Sequence, residues 1–224
     1  MIIAERKPLP EIVDKVKRYR KILNIGCGGC VSICLAGGQK EAYELNVELA
    51  EAFGLQDLPI QLDTLTIERQ CNANFFEPLD QVAREYECLL TMACGAGVQF
   101  VADRFEEIPV FPAVNTVFVG VDRDLGWYEE NCRTCGECVL GETGGVCPLT
   151  RCSKSLFNGP CGGTRHDGAC EVATDIPCAW FEIHRRLKLQ GRLEEIIKIR
   201  PAREWENQAV RHLIQPSCQS RYLK

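Results

Sequence analysis

Residues 132–152 read CRTCGECVLGETGGVCPLTRC, five cysteines in twenty-one positions, the first three spaced C-x2-C-x2-C. Spacing that short lets one tight loop aim successive thiolates at a common centre while its amide N–H groups face the sulfurs. Disulfides, zinc sites and iron–sulfur clusters all use thiols grouped this closely. The chain has fifteen cysteines, an odd number, so complete pairing into disulfides is excluded. The opening MIIAERKPLPEIVDKVKRY carries charge by its fifth residue and shows no apolar signal core, so a cytoplasmic, reducing setting is expected. In that setting clustered thiols point to metal or redox chemistry.

Three cysteines at x2 spacing favour iron–sulfur over zinc, whose knuckles use pairs. Eight cysteines fall between 126 and 178: Cys132, Cys135, Cys138, Cys147, Cys152, Cys161, Cys170 and Cys178. Eight is the number two Cys₄-ligated clusters require. Bacterial ferredoxins use C-x2-C-x2-C-x3-C-P, in which the Cys before Pro serves a different cluster. Here Cys147-Pro148 arrives late, so the run is related to that motif without being it. By the same logic Cys132, Cys135 and Cys138 share one cluster with a distant fourth ligand, Cys178. Cys147, Cys152, Cys161 and Cys170 would then hold the second. One of these sites holding zinc stays open as an alternative. His166 lies among these cysteines and is read as a polar loop residue, with zinc ligation the rival.

A second group comprises Cys27, Cys30, Cys34, Cys71 and Cys94. A cluster needs four, and the expected set is Cys27, Cys30, Cys34 and Cys94, with Cys71 as the rival for the fourth place. Cys27-Gly-Gly-Cys30 also fits a thioredoxin-like C-x-x-C after a strand, but the additional thiols favour a cluster. Cys88 and Cys218 are read as small apolar residues.

The elements that must position these groups are read from periodicity. Residues 9–20 pattern as a helix, KILNIG at 21–26 as a buried strand, and 39–54 as an amphipathic helix. LDTLTIERQ at 62–70 alternates as a strand, 74–86 reads as a helix with Pro78 in its first turn, and CLLTMA at 88–93 as an apolar strand. Residues 95–105 read as a helix and VNTVFVGVD at 114–122 as a last strand. Strands alternating with helices predict an α/β fold: a small N-terminal domain, 1–125, with a mostly parallel sheet and flanking helices. Cys27, Cys71 and Cys94 each come after a predicted strand, so one sheet edge would receive three thiols, at the place where open α/β sheets bind ligands.

From about 126 the rhythm stops and Gly and Cys dominate. A loop-rich domain at 126–200 with so few large apolar residues needs metal to staple it. Residues 179–199 pattern as helix with a break near Gly191, and 201–224 form a tail of helix plus irregular chain. Residues 179–224 carry ten Lys/Arg against five Asp/Glu, whereas the rest of the chain nets −10. A basic end on an acidic body suits a docking surface for a partner.

Several function classes are disfavoured. The formal net charge of −5 argues against nucleic-acid binding. No apolar run approaches the length of a membrane helix. No dinucleotide or phosphate-loop glycine motif is present. His184 and His212 fall in predicted helices away from these cysteines, and no nucleophile–base arrangement or carboxylate pair stands out.

GCGGCVSICLAGG, IERQC, ACGAGVQ, the run CRTCGECVLGETGGVCPLTRCSKSLFNGPCGGT and PCAWFEIHRRL together resemble the MetV family, the cysteine-rich partner subunits of bacterial, acetogen-type methylenetetrahydrofolate reductase. Residues from about 126 to 195 resemble the C-terminal zinc or iron–sulfur domain of methylenetetrahydrofolate reductase. The resemblance implies a non-catalytic electron-transfer subunit with two or three 4Fe-4S clusters, and zinc is associated with the family. It also implies a MetF-type partner carrying FMN or FAD, which reduces methylenetetrahydrofolate to methyltetrahydrofolate in the methyl branch of the Wood–Ljungdahl pathway. Ferredoxin or an NADH-oxidising subunit would both fit as donor. The rival functions are a structural zinc module that assembles a complex, and an adaptor in a corrinoid or heterodisulfide-type redox complex.

Overall fold

The computed structural model describes residues 1–54, 60–203, 209 and 212–222. The chain divides into two compact units, Met1–Glu130 and Asn131–Lys224.

The first unit has an α/β fold. Its elements in order are β1 (Ile2–Arg6), α1 (Leu9–Val16), β2 (Lys21–Cys27), α2 (Cys30–Ile33), α3 (Gln39–Gly54) and β3 (Gln61–Ile67). After these come α4 (Glu77–Val82), β4 (Cys88–Thr91), α5 (Gly95–Arg104), β5 (Val110–Pro112), β6 (Val114–Asp124) and β7 (Trp127–Cys132). Four strands make a parallel sheet in the order β3-β2-β4-β5. Strands covered on both faces read as continuous apolar runs. That is why β4 is buried at all four positions and β2 at six of its seven.

The exception within β2 is Asn24, fully buried in an apolar strand. Its amide Nδ2 donates to the Ala42 carbonyl (2.9 Å) and to Asn46 Oδ1 (3.0 Å). Asn46 in turn donates to Thr64 Oγ1 (2.7 Å) and the Asp63 carbonyl (3.1 Å). These bonds tie α3 to β2 and β3. The same helix buries Leu45, Leu49 and Phe53, at the spacing that keeps side chains on one helical face.

The structure departs from the expected elements in three places. VNTVFVGVD does not close the parallel sheet and is not the last strand. It lies in β6, centre of a separate sheet ordered β1-β6-β7, in which it pairs antiparallel with β1. β1 is five residues long, and only two of them are buried, too few to print a period. The fourth parallel strand is the three-residue β5, which carries Pro112 on the sheet edge, where a missing N–H costs nothing. The helix expected over 74–86 is α4 flanked by 3₁₀ turns at Ala73–Phe75 and Ala83–Glu85, with Pro78 in the first turn of α4.

The second unit is mostly loop. It contains α6 (Pro148–Arg151), α7 (Ala179–Leu189), α8 (Gln219–Tyr222) and 3₁₀ turns at Leu193–Ile197 and Pro216–Cys218. Its apolar cluster is Val146, Ala179, Trp180, Ile183 and Leu187, with Cys152, Cys178 and Ile196 packed at its margin. Trp180 is anchored by its indole N–H, which donates to the Leu156 carbonyl at 3.0 Å. The expected break near Gly191 separates α7 from the turn at Leu193–Ile197. The helix expected in the tail falls partly on 204–208, 210–211 and 223–224, outside the described residues. Cys218 is exposed, so it does not pack as the small apolar residue expected. Among the described residues no helix is long and apolar enough to cross a membrane.

Candidate metal centres

In the parallel sheet the chain leaves β2 toward β3 on one side and β4 toward β5 on the other. The crevice between the carboxyl ends of β2 and β4 is therefore the topological switch point. Cys27 is the last residue of β2, and Cys94 comes after β4 as the N-cap of α5. Cys71 lies beyond the end of β3 and is exposed. Burial pushes the Cys27 thiol up, and negative charge at Cys71 and Cys94 pushes it the same way. The Gln70 and Gly29 backbone amides face the sulfur and pull it down. The fold thus brings Cys27, Cys71 and Cys94 into one electrostatic neighbourhood, with amide donors on the central sulfur.

Cys30 opens α2 and is half-buried, while Cys34 caps the far end of that helix. The Cys34 sulfur is turned toward β1. It accepts the Ala4 N–H at 3.5 Å and lies 3.6 Å from the Ala4 carbonyl and 3.5 Å from the Val31 carbonyl. Burial raises its pKa, and the cysteine that couples to it is Cys30.

Behind the three strand ends sits Gln70, fully buried. Its Nε2 donates to the Ile25 carbonyl on β2 (2.9 Å), and its Oε1 accepts from the Thr91 hydroxyl on β4 (2.5 Å). Helix α5 closes over it through Gly97, where a Cβ would lie 3.0 Å from the Gln70 Cβ and 2.8 Å from that of Ala93. One side chain therefore spaces the ends of β2 and β4 while its own backbone leads into Cys71.

In the second unit the C-x2-C-x2-C loop is shaped by two residues in the left-handed region, Thr134 (φ 51°) and Gly136 (φ 79°). The first is uncommon for a β-branched residue and stores strain between two cysteines. It turns the Thr134 N–H onto the Cys132 sulfur at 3.3 Å. Burial works to raise the Cys135 thiol, but the Glu137 backbone and the Arg203 guanidinium outweigh it and hold the pKa down.

Cys138 and Cys147 flank a loop that folds back on itself. Gly145 N–H donates to the Leu140 carbonyl (2.9 Å) and Thr143 Oγ1 to the Val139 carbonyl (3.0 Å). Cys147 and Cys152 then cap the two ends of α6. The remaining cysteines are linked through neighbours. The Cys170 thiol reaches Ser153 Oγ (3.7 Å), Cys161 reaches Glu171 (3.4 Å), and Glu171 pairs with Lys154. Thr164 Oγ1 meets the Cys178 sulfur at 3.0 Å, and the Gly163 N–H donates to Cys161 at 3.4 Å. His166 lies on the same exposed loop, in a shallow depression lined by residues 162–167.

Among the described residues no three His, Cys, Asp or Glu side chains converge closely enough to hold a metal ion. The thiols are grouped but not closed around a point. Their chemistry still suits a soft metal or cluster, with thiolate donors flanked by backbone N–H groups and a fixed cation. Sequence reasoning missed Gln70, Glu137 and Arg203. Gln70 stands next to Cys71, and Glu137 sits inside the cysteine run, but neither position has a period or motif that marks it.

The fold and thiol groups describe an α/β unit followed by a loop-rich cysteine unit. Residues 111–206 match the family model described as methylene-tetrahydrofolate reductase C terminal. That stretch, under half of the chain, is a domain related to the C-terminus of methylenetetrahydrofolate reductase and links the protein to oxidoreductases. No curated protein and no solved structure matched the chain.

Proposed function

We propose that the protein is an electron-transfer subunit of a methylenetetrahydrofolate reductase complex, passing electrons through 4Fe-4S clusters to a flavin on a MetF-type partner. The observation that carries this reading is that the matched stretch contains all eight cysteines from Cys132 to Cys178. The chain's abundance of soft thiol ligands also supports the reading, in which the catalytic site is on the partner.

In this reading the thiols divide into three ligand sets. Cys27, Cys30, Cys71 and Cys94 make the first, at the switch point, with Cys34 left out because its sulfur faces β1. Cys132, Cys135, Cys138 and Cys147 make the second, because the loop between Cys138 and Cys147 folds back on itself. Cys152, Cys161, Cys170 and Cys178 make the third. This partition places Cys178 and Cys147 differently from the ferredoxin analogy. A bound cluster supplies one-electron carriage at a potential set by its surroundings. The chain's part is to hold the thiolates and aim amide N–H groups at the sulfurs from Gln70, Gly29, Thr134 and Gly163.

Anaerobically purified protein is expected to contain iron and acid-labile sulfide and to show visible absorption that bleaches on reduction. It should co-purify with a flavoprotein. Zinc without iron would overturn the reading in favour of a structural zinc module, which a chelator would unfold.

A further inference from the structure

In the second unit the chain after α7 returns to the C-x2-C-x2-C loop. Asn158 fastens it from both sides: its Nδ2 donates to the Arg200 carbonyl (2.9 Å), and its Oδ1 accepts the Arg200 N–H (2.8 Å). The guanidinium groups of Arg200 and Arg203 both lie over the Phe157 ring, at 5.8 and 5.3 Å from its centroid. Arg203 then reaches the cysteine loop, where its Nη2 donates to the Cys135 carbonyl at 3.2 Å. Its Nε stands 3.8 Å from Glu137 Oε2, and both atoms are buried without a hydrogen bond. The Arg203 side chain is only 19% exposed. A charge this enclosed is weakly screened. A guanidinium cannot give up its proton in a protein, so the charge is permanent.

We propose that Arg203 is a positioning residue that sets the redox poise of the group held by Cys132, Cys135 and Cys138, with Glu137 as its counterweight. The inference rests on the reading of this loop as an iron–sulfur ligand. Reduction adds one electron from the donor and moves no atom, so the loop and its cargo gain one negative charge. A fixed cation a few ångströms away favours the reduced form, and the half-exposed Glu137 carboxylate beside it disfavours it. The Phe157 ring underlies that cation, and Asn158 pins the backbone of Arg200 three residues before it.

The test is a dithionite titration of the anaerobically purified full-length protein, followed by electron paramagnetic resonance. The signal of this cluster is identified by its loss in Cys138→Ser. Arg203→Met is expected to disfavour reduction about tenfold, which for a one-electron couple is about 59 mV. Arg203→Lys should fall between that and the wild type, and Glu137→Gln should shift the other way. Iron content should stay at the wild-type level. Full iron with unmoved potentials would overturn the inference and leave the cluster reading standing. A wild-type chain without iron would remove the cluster reading and the inference with it. If Arg203→Met sheds iron, Glu137→Gln decides: an upward shift supports the proposal, and an unmoved potential rejects it.

Discussion

The hydroxyl of Thr91 donates to Gln70 Oε1 at 2.5 Å, between two side chains fully enclosed at the end of a parallel sheet. With the bond from Gln70 to the Ile25 carbonyl, it connects β2 and β4 through a residue on neither strand. Gln70→Ala would strand a buried hydroxyl and open a void, at a cost of about 2–3 kcal/mol. Denaturant unfolding of the variant should show that loss. Adding Thr91→Val removes the hydroxyl as well, so the double variant should be more stable than the sum of the single losses implies. Strict additivity would mean that the bond contributes nothing.

The proposed first ligand set includes Cys71 and leaves out Cys34, and the two serine variants test that choice. Cys34→Ser should keep the wild-type iron content, because the Cys34 sulfur is already occupied with Ala4 and Val31. Cys71→Ser should lose one cluster's worth of iron. Iron and sulfide analysis of the two proteins reads this directly, and the opposite pattern would return Cys34 to the ligand set.

Cys88 lies outside the proposed ligand sets. It lies at the start of β4, fully buried, and burial, helped by the Glu87 charge, pushes its pKa up to about 12 from 9.0. The folded protein keeps this proton while the unfolded chain releases it above its ordinary value. Stability is therefore whole below pH 9.0 and is lost as pH rises from there toward about 12. Unfolding under reducing conditions at rising alkaline pH should show the wild type losing stability faster than Cys88→Val. Parallel curves would contradict it.

Metal removal should act unequally on the two units. The first has an extensive apolar core on both faces of its parallel sheet. The second, among its described residues, has one cluster of five buried residues. Anaerobic chelation should abolish amide protection through 131–200 while β2 and β4 stay protected, as read by hydrogen exchange. Protection retained in both units would show that the second unit holds its fold without metal.

The α/β alternation, helix α3, the buried β2 and β4, and the delivery of Cys27, Cys71 and Cys94 to strand ends were all legible in sequence. Each depends on local periodicity or on the residues just beyond an apolar run. β1, β5 and β7 were not legible. They are short or edge strands, and β1 is specified by pairing with β6 more than a hundred residues away.

The sequence by itself determined the thiol inventory, its two groups and the scarcity of large apolar residues after 126, because these depend on residue type and spacing. Only the tertiary structure decided which way each sulfur faces. Cys34 turns to β1, Gln70 bridges the strand ends, and Arg203 returns across nearly seventy residues to the Cys135 loop. Such contacts are long-range hydrogen bonds and charge pairs formed when separate segments pack together, and they leave no repeating pattern along the chain.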